Sequence, residues 1–127
     1  TSLNAEGRSS VRPSRCIANL GSGLLDGVYE LCLVQLLREN GLHVEQQVPV
    51  PIHFRGKDLG SMLRLNLIVD GRVVVEVKAV ESIHDSHIAQ TLTYLKLTGC
   101  KLGLIINFGQ RILKEGVERV VNGLGEP

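Results

Sequence analysis

Val73-Val74-Val75-Glu76-Val77-Lys78 is a valine-rich run interrupted by a carboxylate and an ammonium two residues apart. β-Branched residues at this density favour a strand. Strand side chains alternate between faces, so Glu76 and Lys78 point the same way. Two charges on one face of an otherwise apolar strand cost desolvation energy unless they pair, bind a metal or take part in chemistry. Taken singly, the two residues also fit the wet face of a half-exposed hairpin. Their neighbours decide.

Immediately upstream, Asp70-Gly71 signals a hairpin between a strand over 61–69 and one over 72–80. The length of that loop sets the face of Asn66. A two-residue loop of Asp70 and Gly71 pairs Asn66 with Val75 and turns it away from Glu76. A three-residue loop of Val69, Asp70 and Gly71 places it opposite Val74, on the face of Glu76 and Lys78. Farther out, Val44, Gln46, Val48, Val50, Ile52 and Phe54 alternate with polar residues and prolines, ending in the turn Arg55-Gly56-Lys57-Asp58. Pro49 and Pro51 cannot donate to a ladder, which confines this strand to an edge or an irregular position. Before it, Leu25, Val28, Cys32 and Leu36 recur at helical spacing, and Gly41 stands where a left-handed cap ends a helix over 24–40.

On the other side of the opening stretch, Ile88, Leu92 and Leu95 predict a second long helix ending at Gly99. Leu102 to Phe108 is continuously apolar, as in a strand buried on both faces. Leu113, Val117, Val120 and Val121 predict a final helix. The order is helix, three-stranded meander, helix, strand, helix. A strand-helix-strand passage requires a crossover, so the expected class is α/β, a mixed sheet flanked by helices. Residues 1–15 are polar, contain Pro13 and lack apolar periodicity. They are expected to form a loose arm ahead of one domain over 16–127.

Composition narrows the function classes. A chain of 127 residues, 43% of them hydrophobic, suits a single domain with a modest core. A formal charge of +1 gives no global field for nucleic acid, so binding it would need a local basic patch or a bridging metal. The only aromatic residues, Tyr29, Phe54, Tyr94 and Phe108, leave little surface for stacking bases. That disfavours a single-strand platform but not backbone contacts through Lys and Arg. Cys16, Cys32 and Cys100 form no CxxC pair, and their odd number argues for a reducing, cytoplasmic setting. No apolar run reaches the ~20 residues of a spanning helix. No charged-then-apolar leader opens the chain, and its start at Thr1 fits a processed or truncated product. Of His43, His53, His84 and His87, only the last two are helical neighbours, so zinc is disfavoured; His87 lies one turn before Gln90.

Two further pairs carry polar groups on helices. Gln90 and Tyr94 stack at i, i+4 on the second long helix, and Asp26 and Glu30 do so on the first, where two acids repel unless a positive group lies nearby. Individually each pair reads as ordinary: Tyr94 half-buried, Gln90 and both acids solvated.

Together these residues carry a resemblance. Gly23-Leu24-Leu25-Asp26-Gly27-Val28-Tyr29-Glu30 resembles the signature of the GxxExxY proteins, with Asp26 in the place of the motif's Glu. The likeness continues through Gln47-Val48-Pro49-Val50, Arg64-Leu65-Asn66-Leu67-Ile68-Val69, Glu76-Val77-Lys78-Ala79-Val80 and His87-Ile88-Ala89-Gln90. Tyr94-Leu95-Lys96-Leu97-Thr98-Gly99 and Leu102-Gly103-Leu104-Ile105-Ile106-Asn107-Phe108 complete it, so that it spans roughly residues 16–122. Those proteins are similar to the PD-(D/E)XK nuclease superfamily, whose restriction-endonuclease-like core is helix, three strands, helix, strand (αβββαβ).

The resemblance implies Glu76 as a metal ligand, Lys78 as the catalytic lysine that positions or activates water, and Gln90 and Tyr94 as walls of the site. It also implies Glu30 as an acid contributed by the first helix. Magnesium is the implied cofactor, with manganese able to substitute, and DNA is the implied partner of an endo- or exonuclease; a homodimer is compatible with it. The second-strand Asp of the superfamily is Asn66 here, a degenerate metal position. An amide oxygen can ligate magnesium but brings no charge, so the expected enzyme is weakened or inactive. The family's leading helix is expected to be shortened or absent, because Pro13 precedes Cys16-Ile17-Ala18-Asn19-Leu20-Gly21. Two other readings stay open: a catalytically silent module of the same fold that binds nucleic acid or protein, and a module in which Glu76 and Lys78 merely pair with each other and with Arg64.

Overall fold

The helix over Asp26–Glu39 stops because Asn40 ends the regular turn and Gly41 takes φ 80°. There Gly41 donates to the Arg38 carbonyl at 3.0 Å and Leu42 to that of Leu37 at 3.1 Å, satisfying two carbonyls of the last turn. Its buried stripe is Tyr29, Glu30, Leu33, Val34 and Leu37. The stripe expected from Leu25, Val28, Cys32 and Leu36 is displaced: Leu25 is 79% exposed and Val28 40%. Apolar residues lie on more than one side of this helix, and packing partners rather than periodicity choose the inward side.

The computed structural model describes residues 11–109 and 116–123. Its elements are α1 (Ser14–Leu20), α2 (Asp26–Glu39), β1 (Val44–Phe54), β2 (Lys57–Val69), β3 (Val73–Lys78), α3 (Asp85–Thr98), β4 (Leu102–Asn107) and β5 (Val117–Val121). A seven-residue helix, α1, stands where the leading helix was expected to be shortened or absent. Val11 and Cys16 are buried against the core, so residues 11–15 belong to the fold rather than to a loose arm; residues 1–10 lie outside the described residues.

Among the described residues, one five-stranded sheet runs β1-β2-β3-β4-β5, with β3 and β4 parallel and the other pairings antiparallel. The α/β class and the αβββαβ order are present. The proline-bearing β1 occupies an edge. The predicted final helix is corrected: Val117, Val120 and Val121 lie in β5, paired with β4 from Ile106↔Val117 to Leu102↔Val121, while Leu113 lies outside the described residues. The β4 run is buried along its length and needs a partner on each edge, a long-range demand that overrides the helical spacing of those valines.

The sheet separates two cores. Leu67, Val69, Val73, Val75, Val77, Leu104 and Ile106 pack beneath α2, and Val74, Ile105, Leu95 and Tyr94 lie on the α3 side with Val120. A residue two positions along a strand ordinarily keeps the same face. Yet Val44 and Leu67 belong to the α2 core, whereas Val48 and Leu65 belong to the α3 core. The β1–β2 ribbon therefore turns over between these pairs, at Gln47 and Asn66, and Gln47 carries the left-handed φ of 48°. The fold breaks its own alternation where the candidate site lies.

Candidate active site

The loop after β2 contains three residues, Asp70, Gly71 and Arg72, because Val69 pairs with Val73. Asp70 and Gly71 take φ 53° and 65°, and the Asp70 carboxylate accepts the backbone N–H of His43 at 2.9 Å. This loop starts one residue later than the Val69-Asp70-Gly71 form considered from sequence, but it has the same parity. Continued past Leu67↔Val75, the register brings Asn66 opposite Glu76 rather than Val74.

At that point side chains replace the ladder. The Asn66 backbone N–H donates to Glu76 Oε2 at 2.9 Å, and the Val77 N–H donates to Asn66 Oδ1 at 2.7 Å. Two adjoining strands are thus held together through an amide and a carboxylate instead of paired backbones, and the acid and the amide are fixed side by side. Glu76 is 3% exposed. Arg64 is exposed, and the partner that holds the buried carboxylate is the Asn66 backbone N–H.

The helices close the site from both sides. From α2, Glu30 is buried, and the Gln47 amide donates to both of its carboxylate oxygens at 3.1 and 2.9 Å. Its charge is felt at Glu76. Burial pushes the Glu76 carboxyl up to about 7, an effect opposed by the Asn66 N–H and the Lys78 ammonium and reinforced by Glu30. From α3, Tyr94 is buried. Burial raises its phenol and the Glu76 charge raises it further, while a hydrogen bond with Gln90 works the other way. Gln90 is exposed, one helical turn before Tyr94 on α3. His87 caps α3, its Nδ1 accepting the His84 N–H at 3.1 Å. Its imidazole is held below the ordinary value by burial, then by Lys78 and by His84. The structure therefore gathers Glu76, Asn66, Lys78, Glu30, Tyr94 and Gln90. Asp26 is exposed at the first position of α2, where its carboxylate accepts the Gly27 N–H at 3.0 Å.

Two residues that sequence reasoning passed over build the surroundings. Gln47 looked like one polar residue of an alternating strand; its signal was its place beside two prolines on an edge. Asn107 is fully buried at the end of the apolar β4 run. Its side chain accepts the N–H groups of Val80 and Gly109 at 2.9 and 3.0 Å and donates to the Val80 carbonyl at 2.8 Å. A buried amide at the end of such a run was the available clue. Its bonds hold the segment leaving β3 just beyond Lys78. Next to it opens a cleft of about 540 Å³ lined by Ile17, Gly23, Leu24, Leu25, Ala79 and Phe108. Tyr29 shapes the wall, stacking on Phe108 at 4.7 Å and donating its hydroxyl proton to the Gly21 carbonyl at 2.7 Å. The cleft lies outside the carboxyl end of parallel strands, where α/β sheets commonly take ligands.

Chemically, the site offers two carboxylates and an amide oxygen beside an ammonium. Among the described residues, no group of three or more His, Cys, Asp or Glu side chains could hold a metal. Magnesium nevertheless binds through one or two carboxylates, retaining waters and taking substrate phosphate oxygens. Glu76 and Asn66 fit that hard-oxygen chemistry, with Asn66 Oδ1 already sharing itself with the Val77 N–H.

Comparison with curated proteins and with solved structures yields no match. A family model described as the PD-(D/E)XK nuclease superfamily matches residues 14–120, a span from the start of α1 into β5. That match covers all the residues gathered around Glu76, and the chain belongs to the PD-(D/E)XK nuclease superfamily.

Proposed function

We propose that this protein is a nuclease-like phosphodiesterase acting on DNA, of the GxxExxY type, with a metal site weakened by Asn66. The observation that carries the reading is the paired bonding of Asn66 and Glu76 across two strands that no longer share a ladder. Such an arrangement holds an acid and an amide oxygen side by side without using up the second carboxylate oxygen. Magnesium, or manganese in its place, would be held by Glu76 and Asn66 and would supply charge neutralisation for a phosphodiester. Lys78 holds and polarises the attacking water. Glu30 adds negative charge beside Glu76, while Tyr94 and Gln90 wall the site toward α3. The three cysteines are free thiols in the structure, which supports a reducing compartment for this activity.

A second reading, the silent nucleic-acid- or protein-binding module, is favoured by the missing charge at residue 66. One elementary charge beside a divalent ion is worth on the order of a few kcal/mol, or roughly a hundredfold in metal affinity. Magnesium and manganese titrations of the chain and of Asn66→Asp, followed by plasmid nicking, separate the two. Nicking by the wild-type chain that Glu76→Ala abolishes supports the enzyme. Nicking only after Asn66→Asp supports the silent module, and absence of metal binding in both proteins overturns the metal site altogether.

A further inference from the structure

β1 and β2 are far longer than their pairing with the rest of the sheet requires. β3 pairs with β2 only from Leu67 to Val69, yet β1 and β2 continue together from Val48↔Leu65 out to Phe54↔Lys57. Beyond the turnover at Gln47 and Asn66 they form a two-stranded ribbon. It is closed by a tight turn in which Arg55 and Gly56 take φ 52° and 77°, the left-handed pair that matches the twist of a hairpin. At about 3.3 Å per residue, the stretch from Asn66 to Lys57 reaches up to ~30 Å from the site.

Near its root the ribbon is packed, with Val48, Val50, Leu63 and Leu65 in the α3 core. Its outer part is not. Phe54, Leu59 and Met62 are 62%, 57% and 57% exposed, and His53, Arg55, Lys57 and Arg64 are exposed among them. Against these cations stands one carboxylate, Asp58, which is folded into its own turn where it accepts the Gly60 N–H at 2.8 Å. The Arg55 guanidinium lies 5.3 Å from the Phe54 ring centroid and so is held on the ribbon rather than trailing free. On a chain of near-zero net charge, this is a local basic surface rooted in the candidate site.

We propose that the outer ribbon, residues 53–64, is a clamp that lies along the phosphate backbone of duplex DNA bound at the site. The proposal rests on the nuclease reading for the identity of the polymer. The partner's chemistry follows from the ribbon itself. Closely spaced cations suit a polyanion, a two-stranded ribbon fits the width of the major groove, and one exposed phenyl ring beside one imidazole is little platform for successive unpaired bases. A second copy of the chain fits less well, because two such arms would bring like charges together.

The test measures binding of the full chain to a fluorescent duplex by anisotropy across a salt series, with EDTA present so that no cleavage intervenes. Arg55→Ala/Lys57→Ala should weaken binding at least tenfold near 0.1 M salt and lower the slope of log affinity against log salt by about 2. Arg64→Ala should lower it by about 1. Arg55→Lys should retain the slope, and circular dichroism verifies that each variant is folded. Wild-type binding with unchanged slopes in the Ala variants overturns the clamp while leaving the nuclease reading standing. Absence of any duplex binding by the wild-type chain overturns the nucleic-acid reading and the clamp with it. Sedimentation supplies a further check: if Phe54→Ser/Met62→Ser converts a dimer to a monomer and the Ala variants keep the wild-type slope, the ribbon is a self-association arm and the proposal fails.

Discussion

Glu76 is a buried acid whose ionisation is coupled to folding. Its carboxyl is raised from 4.5 to about 7, chiefly by burial, so the folded chain holds this proton more tightly than the unfolded chain does. The contribution is fully present below the unfolded value and is lost as pH rises through about 7. Metal-free Glu76→Gln should therefore match wild type in urea unfolding at pH 4 and exceed it at pH 8, by on the order of 3 kcal/mol. An equal pH dependence in both proteins would refute this origin. Cys16 makes a second case. Burial raises its thiol, and a hydrogen bond and charge from Cys32 raise it further. Iodoacetamide at pH 8 should label half-buried Cys32 readily and reach Cys16 only as fast as the core opens, a difference that peptide mass mapping would show. At this scale residue types were legible and their surroundings were not. Glu30 and Asp26 read alike at i, i+4, yet one is buried under Gln47 and the other sits at a helix start, because α2 turned a different side inward than its apolar spacing suggested.

Elements are joined at the site by backbone contacts that leave no room for side chains. Gly109 lies against the segment leaving β3, where an added Cβ would collide with the Val80 backbone and approach the Ala79 carbonyl carbon to 2.8 Å. Gly109→Ala should lower stability by roughly 2 kcal/mol or more in urea unfolding and displace the backbone next to Lys78. Asn107→Ala removes three part-buried hydrogen bonds across the same junction. A loss of about 2–4 kcal/mol is expected, with a metal affinity at Glu76 that falls less than it does in Glu76→Ala. Most elements were legible because their signals are local. Gly41 ended α2, the prolines consigned β1 to an edge, and Asp70-Gly71 marked the hairpin. β5 was not, since its valines also fit a helix and only the open edge of β4 selects the strand.

Across the whole molecule, stability is concentrated where the two cores meet the sheet. Val74, Val75, Leu104 and Ile105 are almost completely buried, whereas the ribbon tip is exposed on all sides. Amide hydrogen exchange should be slowest in β3 and β4 and faster by several orders of magnitude from Phe54 to Met62, with the boundary near Gln47 and Asn66. Slow exchange at the tip in dilute protein would contradict the description of a free-standing ribbon. By itself the sequence determined the α/β class, the order of the core elements, and the shared face of Glu76 and Lys78, all of which follow from periodicity and turn chemistry within a few residues. The tertiary structure alone decided that the hairpin loop spans residues 70–72, that the ribbon turns over at Gln47 and Asn66, and that Glu30, Tyr94 and Asn107 converge on the end of β3. Those outcomes depend on which surfaces meet across the sheet, and burial acts on the finished assembly rather than on any one segment.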